Sequence, residues 1–195
     1  MAQDTRALLL NQAESLFAER GFYGVSIAAI ANELGLTKQA LLHHFGSKEK
    51  LYGEVLRSIS ARFDLDMSEK ADPTARLILY FTELQSPNRF SADATRVLMR
   101  ELLDNKRRAD SAGTWYLKPF LDRLISMVQA VPNWRDASDA EALAFVYQIL
   151  GAINYFGISE PTLSGIFGQA GYAEFQSAFP AQLETLIRAG LSARS

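Results

Sequence analysis

Apolar residues recur along this chain at the three- and four-residue spacing of amphipathic helices, and no stretch holds the two-residue alternation of a strand. Over residues 5–20, Leu9, Ala13, Leu16 and Phe17 fall on one face behind Asp4 as a cap. Gly21 ends that segment, and Phe22 is expected to tuck back onto it. Ser26 then caps a short helix whose inner face is Ile27, Ile30, Ala31 and Leu34, with Val25 and Ile30 as a hydrophobic staple. Leu34-Gly35-Leu36 reads as a tight turn, glycine being the residue that tolerates left-handed dihedrals. Thr37 caps a third helix, which is stapled by Leu36 and Leu41. Lys38, Gln39, His43 and His44 are the polar residues it can present outward. Ser47 caps a long helix with Leu51, Val55, Ile59 and Phe63 in one stripe to about residue 67.

The remainder continues in the same helical period. Asp72-Pro73 is a restart, a cap followed by proline at the first helical position, and Leu77, Tyr80, Phe81 and Leu84 face inward before the break at Ser86-Pro87-Asn88. Ser91 caps a helix expected to end near Asp104, with the basic run Asn105-Lys106-Arg107-Arg108 as its solvated C-terminus. Residues 111–131 carry Leu117, Leu121, Leu124 and Val128, and Pro119 should kink this helix or mark its true first turn. Ser138-Asp139-Ala140-Glu141 has the form of a capping box opening a helix to about Ile158. That helix is apolar over more than one face, which points to burial against a second copy of the chain as well as its own core. Pro161 to Gly171 is loop-like with room for a short helix, and Pro180 opens a terminal helix with Leu183, Leu186, Ile187 and Leu191 on one face. The expected fold class is all-α.

Residues 26–48 therefore have the layout of a helix-turn-helix, whose second helix enters the major groove of DNA. Thr37 and Lys38 begin that helix; Lys38 suits guanine and Gln39 adenine. His43 and His44 are placed for phosphate or base edges.

Composition adjusts this picture little. The 195 residues are 48% hydrophobic and 22% charged, as in an ordinary globular protein. The absence of cysteine removes disulfides and thiolate metal sites. The N-terminus lacks the apolar core of a signal peptide, and no stretch approaches the ~18 apolar residues of a membrane span. A cytoplasmic protein with no membrane partner is expected. The net charge is −2, and residues 1–50 balance five cations against five carboxylates. One such module should bind DNA weakly, so two acting together are implied. An enzyme would need a nucleophile with its base, a metal cluster or a phosphate loop; the two histidines are adjacent and no Gly-x-Gly-x-x-Gly occurs. No cofactor or metal is expected.

Arg6 to Leu51 resembles the DNA-binding domain of TetR-family transcriptional regulators. The residues that carry the resemblance are Ala13, Leu16-Phe17, Gly21-Phe22, Ser26-Ile27, Ile30-Ala31, Leu34-Gly35-Leu36, Leu41, His44-Phe45, Ser47-Lys48-Glu49 and Leu51. The pattern covers about the first quarter of the chain. It implies a helix-turn-helix domain over 1–50 and a helical ligand-binding and dimerisation domain over 51–195. Lys48, at a helix N-terminus, is then placed for a DNA phosphate. One departure stands out: where the family usually carries a phosphate-touching tyrosine, this chain has Leu42, and Val25 replaces a common threonine.

The resemblance also implies a homodimer joined through the last two helices, a palindromic double-stranded operator and a small-molecule effector. The expected function is a repressor that releases its operator when the effector binds. An activator or ligand-independent regulator of the same fold is the alternative, and a helical interaction scaffold without DNA binding is the rival from another class. Aromatic and flexible residues suited to an effector pocket are Tyr80, Phe81, Met99, Trp115 and Phe120, with Phe90, Tyr116 and Met127 beside them. Tyr147, Asn154 and Tyr155 complete the set; for any single one of these residues, core packing is the simpler account.

Overall fold

The computed structural model describes residues 2–63, 72–85, 91–112 and 117–193. Among these the regular structure is nine α-helices and one 3-10 turn, with no strand. The helices are α1 (Ala2–Gly24), α2 (Ile27–Glu33), α3 (Lys38–Phe45), α4 (Lys48–Ala61), α5 (Pro73–Leu84), α6 (Ala92–Ala112), α7 (Lys118–Gln129), α8 (Asp139–Ile158) and α9 (Glu160–Ser192). Pro132–Trp134 form the 3-10 turn. Packing divides the chain into two units, Met1–Arg62 with Ala92–Leu117 and Phe63–Ser91 with Lys118–Ser195. This division differs from the sequence boundary at residue 50, because both α4 and α6 pack with the amino-terminal helices.

In the first unit the expected apolar faces are inside: Leu9, Ala13, Leu16 and Phe17 of α1, Ile30 and Ala31 of α2, Leu41 of α3, and Leu51, Val55 and Ile59 of α4. Each such side chain contributes about 1.5–3 kcal/mol by leaving water. The break in α1 is at Gly21, whose φ of 71° and ψ of 171° suit only glycine. It turns Phe22 back against Phe17 and Tyr52, with ring centroids 6.3 and 5.1 Å away. Arg100 of α6 caps the interrupted helix, donating from Nε to the Ala18 carbonyl at 2.9 Å and from Nη2 to that of Glu19 at 2.8 Å. One residue on, Glu101 is 2% exposed and accepts from the Tyr52 hydroxyl at 3.0 Å. Arg62, at the end of α4, holds the buried Glu14 of α1 through both guanidinium nitrogens.

The second unit is built on Leu77, Tyr80, Phe81 and Leu84 of α5, Leu124 and Val128 of α7, Val146, Ile149 and Ile153 of α8, and Leu183, Ile187 and Leu191 of α9. The Tyr80 hydroxyl donates to the Phe63 carbonyl at 2.9 Å. The capping box at Ser138 and Glu141 forms as expected. The rings of Trp134 and Phe145 lie 4.9 Å apart at 43°, and Phe145 also abuts Gly190. A Cβ at Gly190 would lie 2.6 Å from the Phe145 ring. Gly190→Ala should therefore destabilise the fold by about 1–3 kcal/mol through overpacking, read as an earlier denaturant midpoint.

Several boundaries differ from the sequence reading. The helix that begins at Ala92 continues to Ala112, so the run 105–108 lies within it rather than closing it. No glycine or proline intervenes before Gly113, and lysine, arginine and alanine are good helix formers. The helix expected over 111–131 begins only at Lys118, so Pro119 occupies the first turn, where its missing N–H costs nothing. The expected loop at 161–171 is helical, with Pro161 in the first turn and a break only at Gly168 (φ 73°, ψ 168°). Pro180 is interior to α9 and opens no new helix. The turns before it are tied to α8 by Phe156, whose ring stacks on Phe179 at 4.1 Å and meets Phe175 at 5.6 Å. The fourth helix, expected to reach about 67, ends at Ala61 with Arg62 as its C-cap.

Against the sequence expectation, α8 is long and apolar enough, by length and composition, to cross a membrane. It is also an integral part of the second unit, packed on α7 and α9.

Candidate nucleic-acid interface

Three short polar side chains set the geometry of the helix-turn-helix. The Ser26 hydroxyl accepts from Ala29 N at 3.0 Å, Thr37 Oγ1 from Ala40 N at 3.1 Å, and Ser47 Oγ from Lys50 N at 3.2 Å. Each satisfies an otherwise orphaned helix donor and is worth about 1 kcal/mol. Between α2 and α3, Gly35 takes a φ of 65° and Leu36 N donates to the Ala31 carbonyl at 2.8 Å. The turn is thus closed by the backbone itself.

α3 is anchored by Leu41 and Phe45, both buried, and Arg6 lies over the Phe45 ring at 5.1 Å. Arg6 also pairs with Glu54, tying α1 to α4 around the end of α3. With that side fixed inward, Lys38, Gln39, His43 and His44 are all exposed and Leu42 is half-buried. The imidazoles of His43 and His44 meet edge to face at 5.9 Å. Thr37 is exposed as well, with its oxygen accepting the cap bond and its hydroxyl proton available to an external acceptor. The structure therefore leaves the expected polar residues of α3 accessible.

Lys48 has a more particular position than a solvated cation. Its ammonium donates to the carbonyls of Phe22 and Val25, each at 3.0 Å, and sits 4.3 Å above the Phe22 ring. It thereby clamps the start of α4 to the segment that joins α1 and α2. An ammonium has three donors, so one remains beyond this clamp. Lys38 and Lys48 share the wall of a concavity of about 520 Å3, with Tyr23 and Ser26 beside them and Gly24, Ala28 and Ala29 leaving it room. No carboxylate is among its lining residues. Two cations without a counter-charge suit a phosphate-bearing polymer. Tyr23, in the same wall, was not singled out from the sequence; its only signal was a bulky aromatic off the buried stripe of α1.

The effector candidates are not gathered in the same way. Tyr80 and Phe81 are core residues of the second unit, and half-buried Phe120 packs on Phe63 at 5.0 Å. Met99, half-buried, belongs to α6 in the first unit, and Met127 is half-buried on α7. Tyr147 and Tyr155 are 52% and 71% exposed on α8, while Asn154 is half-buried. Phe90, Trp115 and Tyr116 lie outside the described residues.

Residues 9–55 match the family model described as bacterial regulatory proteins, tetR family. Among curated proteins, the chain is 37% identical over 76 residues to the HTH-type transcriptional repressor KstR2 of Mycobacterium tuberculosis. That match covers 37% of this chain and 38% of the relative, so the chain matches little more than a third of the relative's length. Among solved structures, that of the ketosteroid transcriptional regulator KstR2 of Mycobacterium tuberculosis aligns with a TM-score of 0.63 over 93% of both chains at 19% identity. AibR, in its crystal structure with isovaleryl coenzyme A and operator DNA, aligns with a TM-score of 0.58 at 18% identity, over 84% of this chain and 98% of AibR. At such identities these likenesses establish a shared fold.

Proposed function

Because the chain belongs to the tetR family of bacterial regulatory proteins, we propose that it is a dimeric, effector-responsive DNA-binding repressor that acts in the cytoplasm and has no enzymatic activity. The observation that carries this reading is the outward surface of α3, where Lys38, Gln39, His43 and His44 stand exposed over an anchored Leu41 and Phe45. Lys38 and Gln39, in the first turn, take the base edges; Thr37, His43, His44 and the remaining Lys48 donor take phosphate. Two copies must place their recognition helices about 34–36 Å apart, one turn of DNA, or a multiple of that spacing.

The dimer surface is assigned to α8 and α9. Tyr147, Gly151 and Tyr155 repeat at helical spacing along the exposed side of α8, and Leu186 of α9 is exposed as well. A glycine between two exposed aromatics permits close approach of a partner helix. The effector is an apolar small molecule, and α4 and α6 are the helices through which its binding alters DNA affinity. It can do so only if it favours one arrangement of the two recognition helices over the other.

Selection of bound duplexes from a random pool tests the reading. A palindrome with half-sites one turn apart is expected, and affinity should fall steeply with salt. A protein that enriches no sequence, and ignores duplex DNA at low salt, is not this regulator. Leu42 supplies a further check. Leu42→Tyr restores a hydroxyl on the half-buried edge of α3 and should tighten DNA binding by about 1 kcal/mol per subunit. Equal affinities in a gel shift would show that position 42 does not face phosphate.

A further inference from the structure

Tyr23 is a large aromatic that the fold leaves 54% exposed, immediately beyond the break in α1. Burying such a ring is worth more than most side chains offer, so leaving it at the surface forgoes stability. The ring is nonetheless held. It meets Phe22 edge to face at 5.2 Å and 85°, and Phe22 is itself fixed by Phe17, Tyr52 and the Lys48 ammonium over its face. Tyr23 lines the concavity that Lys38 and Lys48 also line. A phenol is a neutral donor, and a donor beside two cations is suited to an anion that accepts several hydrogen bonds at once.

We propose that Tyr23 is a DNA-contact residue, its hydroxyl donating to a backbone phosphodiester seated in the concavity it shares with Lys38 and Lys48. This inference rests on the DNA-binding reading above and adds a contact to it. The occupant is a phosphate of the duplex rather than a base, because the wall offers hydroxyl and ammonium donors from Tyr23, Ser26 and Lys48 and holds no carboxylate, which matches an anion. A two-torsion aromatic side chain on a packed base also loses little freedom on binding.

The test is Tyr23→Phe, which keeps the ring on Phe22 and removes only the hydroxyl. Wild type and variant are titrated with sonicated random-sequence DNA and with a duplex selected from a random pool, across a range of salt. The variant is expected to bind both about tenfold more weakly per subunit, the worth of a hydrogen bond to a charged group. Its salt slope should be unchanged, since a neutral phenol releases no counterion. Unchanged affinity overturns the proposal. So does a lower melting temperature that accounts for the weakening, or a loss confined to one DNA sequence. If wild type binds neither DNA, the regulator reading itself fails and Tyr23 falls with it; that result is told apart by the wild-type titration alone.

Discussion

Gly21→Ala is expected to destabilise the amino-terminal unit by about 3 kcal/mol. Two costs coincide at this position. The backbone at φ 71° and ψ 171° lies in a region that is close to glycine-only, which costs an alanine about 1–3 kcal/mol. The added Cβ would also stand 3.2 Å from Nη1 of Arg100, and that guanidinium holds the carbonyls of Ala18 and Glu19 just before the break in α1. Displacing it weakens charge-assisted hydrogen bonds worth about 1.5–3 kcal/mol each. Gly35→Ala is the control. Its φ of 65° is also left-handed, but nothing lies within 4 Å of its would-be Cβ, so about 1 kcal/mol is expected. At about 2–4 °C per kcal/mol for a chain of this size, the two variants should separate clearly in a thermal melt. Coincident melting curves would mean that Arg100 gives way freely and is no cap.

Lys48→Met should have the largest effect on DNA. The variant keeps an apolar stem near Phe22 and loses the ammonium that bridges the Phe22 and Val25 carbonyls and faces the concavity. Each lost charged contact is worth about 1.5–3 kcal/mol, and a dimer loses two, so affinity should fall at least a hundredfold. The log–log salt slope should drop by about 0.9 for each of the two lost phosphate contacts. The same substitution leaves two backbone carbonyls without their donor, and about 1–2 kcal/mol of stability should go with them. Measuring salt slope and melting together separates the roles. A lower melting temperature with an unaltered slope would make Lys48 a clamp alone.

The amino-terminal helices were readable because their signals are local. Ser26, Thr37 and Ser47 each cap a donor three residues ahead, and Gly35 turns the chain within four residues. The inner and outer sides of α3 follow from the same short range, since Leu41 and Phe45 are one turn apart. The carboxyl half was less readable. Pro180 looked like a helix start, yet the helix runs through it, its preceding turns packed on α8 by the rings of Phe156, Phe175 and Phe179. On α8 the apolar residues run nearly all round, so spacing did not tell Tyr147 and Tyr155, which face out, from Val146 and Ile149, which face in. Tyr80 and Phe81 were plausible pocket residues by type and are core by position.

By itself, then, the sequence determined the caps, the turn and the exposed polar residues of α3, because each depends on groups within one helical turn of each other. Only the tertiary structure decided that Lys48 grips carbonyls 26 and 23 residues away, that Arg100 closes a helix 82 residues upstream, and that Tyr23 shares a wall with two lysines. These partners are adjacent only after the helices have packed, and no periodicity in the chain records which distant backbone a long cationic side chain will reach.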